Sequence, residues 1–411
     1  MDYYDQLETQ GSAARATRLA EALPVQIANA QQNSPAFAKI LAGVDPASVT
    51  GRESLAQLPV TRKSDLQELQ KQHPPFGGLV AVPIGKLARV FQSPGPIYDP
   101  DARRPDYWRF ARAMFAAGIR AGDLVHNTFA YTFTPAGFMA ETGAHALGCA
   151  VFPAGVGQTE LQVRAIADLR PQAYIGTPSF LKIILDKAAE MKADVSSLTK
   201  ALMAAEALPP SLREEFKRRG VNVLQCLATA DLGLVAYESS AMAGMLVDEG
   251  VIVEIVRPGT GEPVPDGEVG ELVVTAFNPE YPLIRFGTGD LSAIMPGISP
   301  CGRTNTRIRG WLGRADQTTK VKGMFVRPSQ VAEILKRHPE IVRGRVVVDQ
   351  RDYQDVMTLH CEVAGEGGKA LAEAIVKTVR EVCKLRGGVK FVPPGSLPND
   401  GKVIDDIRKY E

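Results

Sequence analysis

Leu124-Val125-His126-Asn127, Ala150-Val151-Phe152-Pro153, Ala173-Tyr174-Ile175-Gly176, Ala201-Leu202-Met203-Ala204 and Val221-Asn222-Val223-Leu224-Gln225 are short, largely apolar runs that punctuate the middle of the chain. The stretches between them, Ala136 to Leu147, Leu161 to Leu169, Ser179 to Met191 and Pro210 to Arg218, are long enough for helices. Strand, helix, strand, repeated, predicts a mostly parallel sheet covered by helices, because parallel neighbours need a crossover and the helix supplies it.

Working outward, the N-terminal stretch to about Gln72 reads as helical, with Leu19, Leu23 and Ile27 and then Phe37, Ile40 and Leu41 at helical spacing. Thr61 or Ser64 is the expected cap of a following helix. Beyond Gly250 the pattern turns to strands, at Val251 to Val256, Gly270 to Thr275, Leu283 to Phe286 and Leu291 to Met295, with turns such as Val264-Pro265-Asp266-Gly267 between them. After Asp316 come a short strand, a helix over Pro328 to Lys336, strands at Arg345 to Val348 and Met357 to Val363, and a helix over Lys369 to Leu385. The predicted fold is α/β: a large N-terminal domain of mostly parallel sheets covered by helices, with a small β-rich subdomain (residues 1–315), then a small mobile α+β C-terminal domain (residues 316–411).

Composition limits the partners. Of 411 residues, 47 are Lys or Arg and 46 Asp or Glu, so a net charge of +1 gives no general attraction to nucleic acid or to an anionic membrane. No apolar run approaches the roughly 20 residues that span a bilayer, and Met1-Asp2-Tyr3-Tyr4-Asp5 lacks the features of a signal peptide, so a cytoplasmic location is expected. Cys149, Cys226, Cys301, Cys361 and Cys383 are scattered and odd in number, which suits reduced, mostly buried thiols.

Four segments late in the chain carry chemistry. Phe286-Gly287-Thr288-Gly289-Asp290-Leu291 places a carboxylate on what reads as a glycine-rich turn after a strand, where it can accept both hydroxyls of a ribose or simply close a hairpin. Gly313-Arg314-Ala315-Asp316 follows, then Lys320-Val321-Lys322-Gly323, and finally Pro398-Asn399-Asp400-Gly401-Lys402.

With these segments, the sequence resembles the acyl-adenylate-forming ligases, and within them the phenylacetate-CoA ligase family. Gly176-Thr177-Pro178-Ser179, Ala205-Glu206-Ala207-Leu208-Pro209, Ala228-Thr229-Ala230-Asp231-Leu232-Gly233 and Gly267-Glu268-Val269-Gly270-Glu271-Leu272 extend the resemblance over nearly the whole chain. It implies an AMP-forming acid-CoA ligase. A carboxylate would attack the α-phosphate of Mg-ATP to give an acyl-adenylate, and CoA would then take the acyl group; a non-catalytic nucleotide or acyl-CoA sensor and an enzyme loading a carrier-protein thiol stay open. The implied roles are Lys402 as the catalytic ammonium of the first step, Asp290 on the ribose, Arg314 on the ribose or phosphates, and Ala205, Glu206 and Ala207 in the adenine pocket with Ala228 and Thr229 beside them. Asp231 falls at the magnesium-binding position, shortened from Glu, and Thr229 one place before the phosphate-contacting hydroxyl, which is Ala230 here. Asp316 corresponds to the hinge that brings Lys320 to Gly323 toward the CoA step in place of Lys402. The implied cofactors are ATP, Mg and CoA without zinc; the partner is a small carboxylic acid, and a homodimer is left open.

The family's phosphate loop corresponds to Phe91-Gln92-Ser93-Pro94-Gly95-Pro96-Ile97-Tyr98-Asp99-Pro100. Three prolines remove N–H donors and Asp99 adds negative charge, leaving Ser93, Gly95, Ile97 and the Tyr98 hydroxyl as donors. Arg103 and Arg104 stand near enough in sequence to compensate or merely to be solvated. Phe129, Tyr131, Phe133 and Phe138 cluster where the resemblance puts the acid pocket, which favours an aromatic acid, with Tyr131 and Phe133 as its lining. His126 and His145 are read as core residues without a catalytic role.

Overall fold

A computed structural model describes residues 2–93, 96–315, 317, 319–321, 324–351, 354–363, 365 and 367–408. Gly95, Asp316 and Gly323 lie outside the described residues, and for Lys320 only the backbone is described. The chain divides into two compact units, one of Met1–Val253, Val274–Phe286 and Met295–Trp311, the other of Glu254–Val273, Gly287–Ile294 and Leu312–Glu411.

The first unit is built on the predicted crossovers. Eight strands of its nine-stranded sheet run in the order Arg307–Ile308, Met245–Val247, Gly233–Glu238, Asn222–Thr229, Lys200–Met203, Ala173–Gly176, Leu124–Asn127 and Ala150–Pro153. The last five are parallel, the first four antiparallel neighbours, so the Asn222–Thr229 strand is where the two halves join. Helices Ala136–Ala146, Thr159–Leu169, Pro178–Met191 and Pro210–Arg218 connect the parallel strands and bury Val163, Ile166, Leu181, Ile184 and Phe216. The Pro178–Met191 helix starts on Thr177, whose hydroxyl accepts from Phe180 N–H at 3.3 Å, with Pro178 at the first helical position where no donor is needed. Ser93 and Ile97 close a hairpin of strands Leu87–Ser93 and Ile97–Ala102.

Val251–Val256, Gly270–Ala276 and Phe286–Ser292 carry the chain between the units. The second unit has a four-stranded sheet in the order Gly388–Val392, Gln354–Val363, Ile341–Arg351, Ile404–Asp406, with helices Pro328–Arg337 and Lys369–Cys383. Val331, Ile334, Ile375 and Val379 recur at three- and four-residue spacing and bury against Val346, Val348, Leu359 and Cys361, which alternate along the two central strands.

Two local expectations change. Leu283 to Phe286 is not a strand; the strand begins at Phe286 and includes Gly287 to Ser292, so Asp290 lies within it rather than on a turn after it. Arg285, at φ +45°, interrupts the extended run just before Phe286. Thr61 and Ser64 cap nothing. Thr61 opens a two-residue strand and donates its N–H to Arg285 O at 3.0 Å, while the Leu66–Gln72 helix starts after Asp65 without a side-chain cap.

Candidate functional site

Asp231 follows the Asn222–Thr229 strand on a braced turn. Thr229 Oγ1 accepts from Leu232 N–H at 3.2 Å, which braces the turn, and Arg109 Nη2 donates to the carbonyls of Leu232 and Leu234. Arg109 is fixed in turn by Asp248 at 2.8 Å. The Asp231 carboxylate is 1% exposed, and Lys63 Nζ lies 2.7 Å from its Oδ2. A second carboxyl, Asp99, reaches the same place from the hairpin and is fully buried. Burial first, and then the charge of Asp231, push the Asp99 acid well above the ordinary carboxylate range; Ser93 and Lys63 pull the other way. With Lys63 paired to Asp231, the buried Asp99 carboxyl favours its neutral form. The Tyr281 phenol, 1% exposed, feels both carboxyls, and its hydroxyl has no hydrogen-bond partner among the described residues.

Among the described residues, two of the donors are engaged, one within the hairpin and one by the preceding helix. Ser93 is buried with its hydroxyl toward Ile97 O at 3.4 Å, Tyr98 N–H donates to Gln70 Oε1 at 2.8 Å, and Gln70 Nε2 returns a bond to Tyr98 O at 2.8 Å. The Tyr98 hydroxyl accepts from Gln92 Nε2 at 3.1 Å. Arg104 is also engaged, donating to Asn278 Oδ1 at 2.9 Å.

Ala205, Glu206 and Ala207 are exposed on the loop after Lys200–Met203, with Ala205 in the left-handed region at φ +69°. Glu206 accepts from Ser179 N–H at 3.2 Å and from its hydroxyl at 2.9 Å, which joins two segments that the resemblance named separately. Ala228 and Thr229 are half-buried at the end of their strand.

Of the four aromatics, Phe129 is core and Phe138 packs against it. The Phe138 ring meets Tyr131 edge-on at 5.2 Å and carries the Arg89 guanidinium at 4.1 Å. The Tyr131 hydroxyl accepts from Asn127 Nδ2 at 2.8 Å. Phe133 is 75% exposed and sits at φ +60°, its carbonyl accepting from Gln92 N–H at 2.8 Å. A bulky residue held in that region and left facing solvent is the kind of strain that accumulates at ligand clamps. His126 is buried against Phe152 with Gln162 Oε1 at 2.8 Å, and burial keeps its imidazole below the usual histidine range, hence neutral.

The remaining predicted residues belong to the second unit. Arg314 pairs with Asp290 at 3.0 Å, and the two residues form a backbone bridge. Gly289, at φ +75°, leaves room for the guanidinium; a Cβ there would stand 2.6 Å from Arg314 Nη2. Lys402 lies on an exposed turn, its Nζ 3.1 Å from Asp405 Oδ1 and its N–H on Asp400 Oδ1 at 3.0 Å. Asp400 is held by the buried Arg345. Thus Asp290 and Arg314 are in contact, and Ser179 joins Glu206. Asp231 and Lys402 stand in separate units.

Sequence reasoning missed Lys63 and Tyr281 and read Asp99 only as a misplaced charge. For Lys63 the signal was a basic residue inside Thr61-Arg62-Lys63-Ser64, a segment read for its capping hydroxyls. Tyr281 offered none.

The comparisons agree with this architecture. A family model described as AMP-binding enzyme matches residues 108–278. A phenylacetate-coenzyme A ligase of Thermus thermophilus is 31% identical, with all of both chains covered. One from Aromatoleum evansii is 32% identical over 90% of this chain and 87% of its own. Among solved structures, an open conformation of 2-hydroxyisobutyryl-CoA ligase in complex with 2-HIB-AMP and CoA superposes with a TM-score of 0.72 at 26% identity, covering 96% of this chain and 91% of that one. These matches define the class as AMP-binding enzymes of the acid-CoA ligase fold. Within that class, the chain belongs to the phenylacetate-CoA ligase family. No helix among the described residues is long and apolar enough to cross a membrane.

Proposed function

We propose that this protein is an AMP-forming acid-CoA ligase that activates a carboxylic acid, an aromatic one by preference, as its acyl-adenylate and passes the acyl group to CoA. The observation that carries the reading is the pairing of Arg314 with Asp290 across Gly289, in a chain whose whole length matches phenylacetate-coenzyme A ligases. In this reading Asp290 accepts the ribose hydroxyls, Arg314 turns toward the phosphates, and Ala205, Glu206, Ala207, Ala228 and Thr229 border the adenine. Tyr131 and Phe133 line the acid pocket.

Asp231 would hold magnesium. The donor chemistry fits that ion once Lys63 releases the Asp231 carboxylate: hard oxygens from Asp231 and the buried Asp99 suit a cation that binds proteins through one or two carboxylates and otherwise through phosphates and water. The bound ion would screen charge on the phosphates. Ser93 and Gly95 would approach those phosphates with few free donors, so Lys402 carries more of the stabilisation of charge that develops as pyrophosphate leaves. Asp316 is the hinge, residues 316–411 turn as a lid, and Lys320 and Gly323 face CoA in the second step. Cytoplasmic action on a freely diffusing acid follows from the same reading.

One observation favours a second reading, a sensor that binds nucleotide or acyl-CoA without turnover: the Ser93 hydroxyl and the Tyr98 N–H are already engaged, by Ile97 O and by Gln70 Oε1. A panel of aryl and alkyl acids assayed for acid-dependent pyrophosphate release separates the two. Release with at least one acid supports the ligase. Tight AMP binding without release supports the sensor.

A further inference from the structure

A single side-chain amide holds the turn that carries Lys402. Gln317 Oε1 accepts from Val403 N–H at 2.7 Å and from Ile404 N–H at 2.9 Å, and its Nε2 donates to Gly401 O at 3.3 Å. These contacts bracket Lys402 on both sides. The same Nε2 lies 3.5 Å from Arg314 O, and the Gln317 N–H donates to Ala315 O at 2.9 Å, so the residue is also tied to the segment that bears Arg314. Gln317 is the residue after Asp316.

We propose that Gln317 is the positioning residue that fixes the Lys402 turn relative to the Arg314 segment, and through it sets the rate of the adenylation step alone. The inference rests on the ligase reading above. Its physical basis is geometric. Lys402 is exposed and its ammonium ends a flexible four-carbon stem tethered by one solvent-exposed pair with Asp405, so its placement depends chiefly on its backbone, and displacement of about 1 Å in such a group costs up to a hundredfold in rate. Without the amide, the Val403 and Ile404 N–H groups turn to water and the turn gains freedom. The CoA step does not use Lys402 and is insensitive to that freedom.

The test compares Gln317→Ala with Gln317→Glu, which keeps the acceptor for both N–H groups. For Gln317→Ala, acid-dependent pyrophosphate release falls about 10- to 100-fold in kcat with the KM for ATP changed less than about threefold. Thioester formation from preformed acyl-adenylate and CoA stays within about twofold, and Gln317→Glu recovers most of the first step. Independently of turnover, amide exchange at Val403 and Ile404 speeds up about tenfold or more in the alanine variant. Equal losses in both half-reactions, or unchanged exchange at those two amides, overturn the proposal. If the wild type releases no pyrophosphate with any acid, the ligase reading fails, and the exchange measurement still decides whether Gln317 holds the turn.

Discussion

Lys63 pairs with Asp231 at 2.7 Å inside the first unit, and the buried Asp99 of a proline-rich hairpin feels the charge of that carboxylate. The unfolded chain releases the Asp99 proton in the ordinary carboxylate range and the folded chain only well above it. Between those limits the folded state binds the extra proton, so this group's contribution to stability falls as pH rises. Asp99→Asn removes the titration and keeps the shape. Thermal unfolding is expected to show Asp99→Asn melting above the wild type at pH 8, with the gap closing toward pH 4; a gap that ignores pH would contradict the assignment.

Lys63 compensates a carboxylate that is otherwise sealed from water. Removing one partner of such a pair costs about 3 kcal/mol, because the remaining charge is left uncompensated. Denaturant unfolding of Lys63→Met should show that loss. In the double variant with Asp231→Asn most of it returns, since the two sites are directly coupled.

The parallel half of the sheet was legible because apolar runs at Leu124, Ala150 and Ala173 alternate with helical stretches, and each such crossover is a local matter of spacing. Motif order singled out Asp290 and Arg314, and the fold brings the two into contact. The environment of Asp231 was not: Lys63, Asp99 and Tyr281 come from three distant segments, and only the folded chain brings them together. The strand at Phe286 was misplaced because two glycines in a hexamer read as a turn. Buried neighbours such as Thr288 and Leu291 override that local preference, with the Thr288 hydroxyl bonded to Leu272 O at 3.1 Å.

Arg314 is expected to contribute to nucleotide affinity through charge-assisted hydrogen bonds, each about 1.5–3 kcal/mol. Calorimetry with AMP should find Arg314→Ala and Asp290→Ala each weakening binding by roughly 10- to 100-fold. The double variant loses less than the product of the two, because the residues touch.

Gly401 stands at φ +71°, and a Cβ there would meet Val269 Cγ1 at 2.7 Å. Gly401→Ala therefore strains the turn bearing Lys402 and is expected to cost about 1–2 kcal/mol in chemical unfolding. Adenylation should suffer more than thioester formation from a preformed adenylate. Equal effects on both steps would argue that the turn serves stability alone.

In the proposed ligase reaction Lys402 drives the adenylation step. Pyrophosphate release by the wild type and by Lys402→Ala, with ATP, magnesium and a panel of acids, tests it most directly. Acid-dependent release by the wild type is expected, slowed in Lys402→Ala by about a hundredfold or more. Release that is undiminished in Lys402→Ala, or absent from the wild type with every acid, would contradict it.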